Sequence, residues 1–265
     1  MIECYPSGQA LLDANGALLD TNPYQTVFFR VDAPLLACSD HVNYALRCVD
    51  GDEVLLALRV EPYSLLLFGS AACAAELTDF LIREGYILDR FLCNVEVGAA
   101  MMDAMARHGR RYTEALAMDF MEATAVTAPT APAVEVAVDS DLDEICECLV
   151  LFGIECHLLE PVNRDAVARR LPHFRVLRQG GRIAAMASMS DGTAGDMRIG
   201  CVYTREDCRG QGLARQVVNA VKNDILAGGK VATLNVDRRN PVTNHLYRAL
   251  GFRPLFSHGE YRPAD

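Results

Sequence analysis

The residues best suited to chemistry lie in one stretch, CVYTREDCRGQGLA, at positions 201–214. The pattern predicts an apolar strand, a turn that contains Gly210 and Gly212, and then a helix. The first backbone N–H groups of a helix lack partners within the helix, and the helix dipole gives that end a partial positive charge. Glycine removes Cβ atoms that would keep an anion away, and Arg209 adds a guanidinium group. The stretch therefore predicts a binding site for a phosphate-bearing ligand.

Two common phosphate-binding motifs do not fit this stretch. The Walker motif needs Gly-Lys-Ser/Thr, and the dinucleotide fingerprint needs G-x-G-x-x-G with an acidic residue downstream. The alternative interpretation of the stretch is a helix start that binds no ligand and whose glycines serve only packing.

A second stretch, NPVTNHLYRALGF at 240–252, follows one predicted helix and one predicted strand later. Together the two stretches resemble the ordered signatures of the GNAT superfamily of acyl-CoA-dependent N-acetyltransferases. Arg209, Gly212 and Ala214 match Arg/Gln-x-x-Gly-x-Gly/Ala, and the second stretch matches N-x-x-(x)-N-x-x-Y-x-x-x-G-F. The resemblance covers about residues 134–263. Many relatives carry proline at Glu206 and an aromatic residue at Cys208, but neither difference removes a ligand-contacting group.

The resemblance implies a GNAT-like acyl-CoA N-acyltransferase fold, of α/β class with a mixed sheet. It also implies acetyl-CoA as cosubstrate and no metal. The residues that it assigns to the cofactor are Val202, Tyr203, Thr204, Arg209, Gly210, Gln211, Gly212, Leu213, Ala214, Asn240, Asn244 and Tyr247. Asn240 is also a predicted helix N-cap. Tyr247 is the candidate general acid, because a phenol of pKa about 10 can protonate a thiolate of pKa about 8.5. The alternative is that Tyr247 is an aromatic residue of the core with a structural role only.

The general base has three candidates. An amine acceptor must lose a proton before it attacks, and Glu155, Asp196 or His157 could accept that proton directly or through water. Glu155 is predicted to lie between the first two helices of the second half, and Asp196 at the start of the strand that leads to Thr204. A solvated surface carboxylate is the alternative for each acid.

The expected reaction is acetyl transfer to an amine, on a small molecule or a protein, by direct attack in a ternary complex. A noncatalytic acyl-CoA-binding regulatory module is one alternative, and acyl transfer to a hydroxyl or thiol is another.

The elements that position these residues fall into two similar halves. Each half shows strands, a hairpin, and then a strand–helix–strand–helix–strand series. In the first half the hairpin is predicted to turn at Gly51, and strands are predicted at 87–93 and 112–123. In the second half a final strand is predicted at 252–256. An uncharged stretch with two prolines, at 123–133, separates the halves and favours extended backbone. We therefore predict two tandem related domains: a degenerate GNAT-like domain at 1–125, a linker at 126–133 and an acetyltransferase domain at 134–265. The first half lacks Arg-x-x-Gly-x-Gly, so no cofactor site is expected there.

Composition excludes several other classes. The formal charge of −10 disfavours binding to nucleic acid or to anionic membranes. No apolar run is long enough to span a membrane, and no secretory signal is visible. The ten cysteines form no zinc-type spacing and fit a reducing cytoplasm. A metal or redox site at Cys146, Cys148 and Cys156 is the alternative.

Overall fold

A computed structural model describes residues 1–156 and 161–264. In these residues the first half of the chain forms β1 (Ile2–Tyr5), α1 (Gly8–Leu19), α2 (Val27–Asp32), β2 (Tyr44–Asp50), β3 (Glu53–Arg59), β4 (Leu65–Gly69), α3 (Ala74–Arg83), β5 (Phe91–Asn94), α4 (Val95–Arg107) and β6 (Tyr112–Ala123). The second half forms β7 (Val134–Val136), α5 (Leu142–Glu155), α6 (Arg164–Arg170), β8 (Phe174–Gln179), β9 (Arg182–Asp191), β10 (Met197–Thr204), α7 (Leu213–Ala227), β11 (Ala232–Asp237), α8 (Pro241–Ala249) and β12 (Arg253–Pro263).

The two halves repeat one order of elements. Each begins with a strand and two helices, continues with three strands, and ends with helix, strand, helix and strand. In both halves the fourth strand pairs in parallel with the fifth, β4 with β5 and β10 with β11. The predicted duplication of a mixed α/β unit is therefore present in the fold.

The chain divides into two compact units that are discontinuous in sequence. Unit 1 contains Met1–Asp119, Asp237–Arg239 and Phe256–Asp265, and unit 2 contains Phe120–Val236 and Asn240–Leu255. These ranges differ from the predicted domain ranges mainly at the chain end. The later part of β12 belongs to unit 1 because it pairs there with β5, with His258 opposite Asn94 and Tyr261 opposite Phe91.

Unit 1 contains a sheet in the strand order β1-β2-β3-β4-β5, followed by the unit 1 parts of β12 and β6. The predicted hairpin is present, since β2 and β3 are antiparallel and Gly51 turns between them with φ +59°. Gly98 on α4 lets the Tyr261 ring approach closely, because a Cβ atom there would lie 2.2 Å from the ring. The strand predicted at 87–93 is shorter than expected and begins only at Phe91.

Unit 2 contains a sheet in the order β7-β8-β9-β10-β11, followed by residues 120–123 of β6. One face is covered by α7 and α8 through buried side chains such as Val217, Val221 and Leu250. The other face is covered by α5 and α6, with Ile145 and Val167 in its core. The site residues of β10 and of the following turn lie between these two layers of helices.

The proline-containing stretch between the halves is fixed to α7 rather than merely extended. Lys222 is fully buried and donates hydrogen bonds to Thr127 Oγ1 (2.7 Å) and to Leu250 O (2.8 Å). The amide groups of Asn219 and Asn223 donate to the carbonyl oxygen of Ala128. The stretch builds no core of its own, as expected, but polar side chains of α7 satisfy its backbone.

Candidate functional site

The site begins where β10 and β11 separate. Their parallel register pairs Met197 with Ala232 and Arg198 with Thr233, and no later pair is formed between the two strands in the part of the chain that the structure describes. The backbone of β10 from Ile199 to Thr204 therefore presents an open edge towards β11. The separation leaves peptide groups available to an extended ligand.

A bulge in β10 accompanies the separation. The antiparallel register with β9 shifts between Gly200 and Tyr203, and Cys201 within the shift has φ +49°. A left-handed conformation at a residue with a side chain is uncommon and often marks a functional position. A bulge also increases local twist, which turns the end of β10 away from its neighbour.

The turn after β10 leads into α7 through two glycines in the left-handed region. Gly210 has φ +75°, and Gly212, the N-cap residue of α7, has φ +74°. A Cβ atom at either glycine would meet no heavy atom within 4 Å, so the space above the turn is open. The first N–H groups of the 15-residue helix α7 have no partners within the helix. The turn has the open, positively polarised form expected of a phosphate cradle.

Arg209 joins this cradle to the end of β10. Its Nε donates a hydrogen bond to Thr204 O (3.1 Å), and its Nη2 donates one to Glu155 Oε1. The side chains of Arg209 and Glu155 are 47% and 48% exposed. The hydrogen bond to Glu155 raises the pKa of Arg209, so the guanidinium remains charged.

The other predicted cofactor residues fit a ligand that follows the backbone. Tyr203 is buried in the core beneath α5, so its backbone rather than its ring can face a ligand. Thr204 Oγ1 is buried and has no hydrogen-bond partner within the described residues. Gln211 is exposed and accepts a hydrogen bond from Gln179. The unpaired hydroxyl at the end of β10, the free N–H groups at the start of α7 and the Arg209 guanidinium together fit a pantetheine-linked diphosphate.

Three further predicted residues complete this set. Val202 packs partly against the core beneath α7, and Leu213 at the start of α7 is buried in that core. Ala214, in the first turn of α7, is half-buried.

Tyr247 lies on α8 and is 7% exposed. Its ring packs edge-on against Phe252 at 5.9 Å between centroids. Burial raises the pKa of Tyr247 to about 12, with a smaller contribution from Cys156. The phenol is therefore fully protonated at neutral pH, as a general acid must be, but it gives up its proton less readily than an exposed tyrosine.

Asn240 and Asn244 organise the start of α8. Asn240 caps the helix, because its Oδ1 accepts hydrogen bonds from Val242 N (3.1 Å) and Thr243 N (3.3 Å). Asn244 Nδ2 donates to Asn240 O at 2.8 Å. The predicted cap is confirmed, and the contact of these amides with a cofactor stays a prediction.

The candidate bases occupy different places. Glu155 is the last residue of α5, so the expectation that it lies between two helices is wrong, because the apolar run of α5 continues through Leu151, Phe152 and Ile154. It is adjacent to the cradle through Arg209. Asp196 lies at the opposite end of β10 from Thr204. Its carboxylate accepts hydrogen bonds from Thr193 N, Ala194 N and Thr233 Oγ1. His157 lies outside the described residues.

Arg205 is a positioning residue that the sequence analysis missed. Its Nε donates to Ile183 O at 2.8 Å, and its Nη groups contact Glu144 and Glu147 of α5. These hydrogen bonds raise its pKa. The signal in the sequence that could have found Arg205 is the pair Glu144 and Glu147, because acids three residues apart on a helix present two carboxylates on one face. Arg205 thereby fixes α5 against the end of β10.

Two other features are absent from the described residues. Within them no group of three or more His, Cys, Asp or Glu side chains could hold a metal ion. None of the helices in these residues is both long and apolar enough to cross a membrane.

The comparisons with known proteins agree with this arrangement. Residues 177–261 match the family described as FR47-like protein. An acetyltransferase of the GNAT family from Colwellia psychrerythraea is similar at 12% identity and TM-score 0.62, over 99% of this chain and 98% of the other. A GCN5-related N-acetyltransferase from Sphaerobacter thermophilus is similar at 17% identity and TM-score 0.62, over 99% and 94%.

A tandem GNAT protein from the clavulanic acid biosynthesis pathway is similar at 14% identity and TM-score 0.53, over 100% and 98%. No curated protein matches the chain. The fold and the open β10 edge define the class, which is that of GNAT-fold proteins. Residues 177–261 are similar to the FR47-like family, and the chain as a whole has the fold of a tandem GNAT protein, as the sequence resemblance predicts.

Proposed function

We propose that the protein transfers an acetyl group from acetyl-CoA to an amine on a small molecule or a protein. The observation that carries this proposal is the opening between β10 and β11, with the cradle of Arg209, Gly210 and Gly212 at its end. Acetyl-CoA, when bound, supplies a thioester whose carbonyl carbon an amine can attack.

The residues of unit 2 have separable roles in this proposal. The N–H groups at the start of α7 and the Arg209 guanidinium bind phosphate oxygens. The open edge of β10, from Ile199 to Thr204, binds an extended amide chain by backbone hydrogen bonds and fixes its position. Positioning of two reactants supplies a large part of the rate in such a reaction.

Tyr247 is proposed to deliver a proton to the leaving sulfur. Because burial raises its pKa to about 12, the phenol holds its proton throughout the neutral range. The same burial disfavours the sulfur anion that forms beside it, since desolvation raises the pKa of a thiol as well. The proton transfer therefore stays feasible despite the raised pKa of Tyr247.

A noncatalytic acyl-CoA-binding module is the second candidate function. It is favoured because both candidate bases in the described residues already have partners: Glu155 is paired with Arg209, and Asp196 is hydrogen-bonded in a turn. Such a module would bind acetyl-CoA but would not consume it. Acyl transfer to a hydroxyl or thiol would use the same cofactor site.

The decisive experiment measures release of CoA thiol from acetyl-CoA with a panel of primary amines, alcohols and thiols. We expect amine-dependent release that exceeds the hydrolysis seen without acceptor. Calorimetric binding of acetyl-CoA without release by any acceptor would instead identify the binding module. No binding at all would reject the proposed function.

Unit 1 is proposed to have no cofactor site of its own. At the matching position β4 is followed directly by Ser70, whose N–H donates to Val54 O at 2.7 Å. β4 ends at Gly69, where a Cβ atom would lie 2.1 Å from Val54 O, and only residues 70–73 connect it to α3, whereas residues 205–212 connect β10 to α7. Unit 1 therefore lacks the longer turn that holds the two open glycines in unit 2. We expect calorimetric titration to give one acetyl-CoA per chain, and a stoichiometry of two would contradict the proposal.

A further inference from the structure

The ion pair between Glu155 and Arg209 lies at the cradle itself. Arg209 Nε is committed to Thr204 O, which holds the guanidinium group at the end of β10. Nη2 of the same group donates to Glu155 Oε1. A carboxylate thus already occupies a donor of the arginine that the proposed function assigns to a phosphate.

The geometry points to Glu155 as an anion that competes with the phosphates of CoA for Arg209. This inference rests on the proposed function. The carboxylate and a phosphate are both strong acceptors for an arginine fork, and two anions held close together repel each other. A phosphate that binds Nη2 displaces Glu155, and a phosphate that binds Nη1 instead meets the repulsion of the nearby carboxylate, so in either case Glu155 reduces the affinity of the site.

Glu155 is free to make this exchange. Within the described residues Arg209 is its one hydrogen-bond partner, and 48% of its side chain is exposed. As the last residue of α5 it can change rotamer without disturbing the helix. The Glu155 carboxylate is released from Arg209 only when CoA takes its place there. Cofactor binding would therefore precede any use of this carboxylate as a proton acceptor.

The other acids of α5 differ from Glu155 in this respect. Glu144 and Glu147 both contact Arg205, whose side chain is only 12% exposed and also donates to Ile183 O. Asp143 is 84% exposed, pairs with Arg164 and has the same charge as Glu155 on the same helix. It therefore offers a matched control that removes one negative charge without touching Arg209 or Arg205.

The test is calorimetric titration of the full chain with CoA. We expect Glu155→Gln to bind CoA about fivefold more tightly than the wild type, because an exposed ion pair contributes up to about a kcal/mol and tenfold in affinity is about 1.4 kcal/mol. Asp143→Asn is expected to stay within about twofold of the wild type. Pantetheine, which lacks the phosphates, distinguishes competition for phosphate from a general change, and Glu155→Gln is expected not to alter its affinity.

Each outcome decides the inference. Equal or weaker CoA binding by Glu155→Gln, in a variant with wild-type thermal unfolding, overturns it, since Glu155 would then be neutral or would support Arg209. The same gain in Asp143→Asn would show that net charge alone causes the effect and would overturn the inference too. Failure of the wild type to bind CoA would reject the proposed function instead. Glu155→Ala repeats the test without a replacement hydrogen-bonding group.

Discussion

Replacement of Tyr247 by phenylalanine removes one hydroxyl group and leaves the packing of α8 in place. The ring is 7% exposed and keeps its edge-on contact with Phe252. In the part of the chain that the structure describes, the phenol oxygen forms no hydrogen bond, so no partner is left unsatisfied by the change. We expect the free energy of unfolding at pH 7 to change by less than about 1 kcal/mol.

The catalytic effect should be much larger than the effect on stability. A positioned general acid contributes roughly 10²–10⁴ in rate, so kcat of Tyr247→Phe should fall at least about hundredfold with little change in KM for acetyl-CoA. The assay is amine-dependent release of CoA thiol. Tyr112→Phe is a control that removes a phenol from unit 1, where it donates to Leu88 O. A Tyr247→Phe enzyme that keeps kcat within about twofold of wild type would refute the general-acid role.

The raised pKa adds an independent test of the burial of Tyr247. Its pKa is about 10 in the unfolded chain and about 12 in the folded protein. The stabilising contribution of the neutral phenol is complete below pH 10 and is lost as the pH rises to 12. The unfolding free energy of the wild type should therefore fall by roughly 2–3 kcal/mol relative to Tyr247→Phe over this range. Parallel curves for the two proteins in urea denaturation would contradict the assigned burial.

Three other changes probe the cradle and its supports. Gly212→Ala places a side chain at φ +74°, so we expect about 1 kcal/mol lower stability and weaker CoA binding in calorimetry; an unchanged Kd would count against the cradle. Lys222→Ala leaves Thr127 Oγ1 without its buried donor and leaves Leu250 O with only the hydrogen bond from Thr127, so urea denaturation should show a loss of roughly 2–4 kcal/mol, whereas a loss below about 1 kcal/mol would contradict the assigned burial. Asp196→Asn should lower the unfolding free energy by roughly 1–3 kcal/mol, because its carboxylate accepts three hydrogen bonds; a large fall in kcat with unchanged stability would restore it as a base.

Local signals in the sequence were sufficient for much of the fold. The bounds of β6 agree with the predicted strand at 112–123, and α8 begins at the predicted proline after an asparagine cap. Glycine positions also marked turns reliably, because Gly51, Gly210 and Gly212 all adopt positive φ. These features depend on residues close together in the chain, whose backbone preferences a sequence displays directly.

Features that depend on distant partners were not predictable in the same way. The strand expected at 252–256 extends to Pro263, because its later residues pair with β5, more than 150 positions earlier in the chain. α5 continues to Glu155, which moves a candidate base from a connection onto a helix end. The pairing of Arg209 with Glu155 also required the structure, since nothing local indicates which carboxylate reaches the cradle.

The place of β12 in unit 1 has a consequence for biosynthesis. Its residues from Phe256 onward pair with β5, and the Tyr261 ring packs against Gly98. Unit 1 cannot complete its sheet until the ribosome has released Phe256 and the residues that follow it. Until then β5 is an unpaired strand edge, of the kind that promotes association between nascent chains. Translation that stops shortly before Phe256 would therefore damage the first unit made rather than the last.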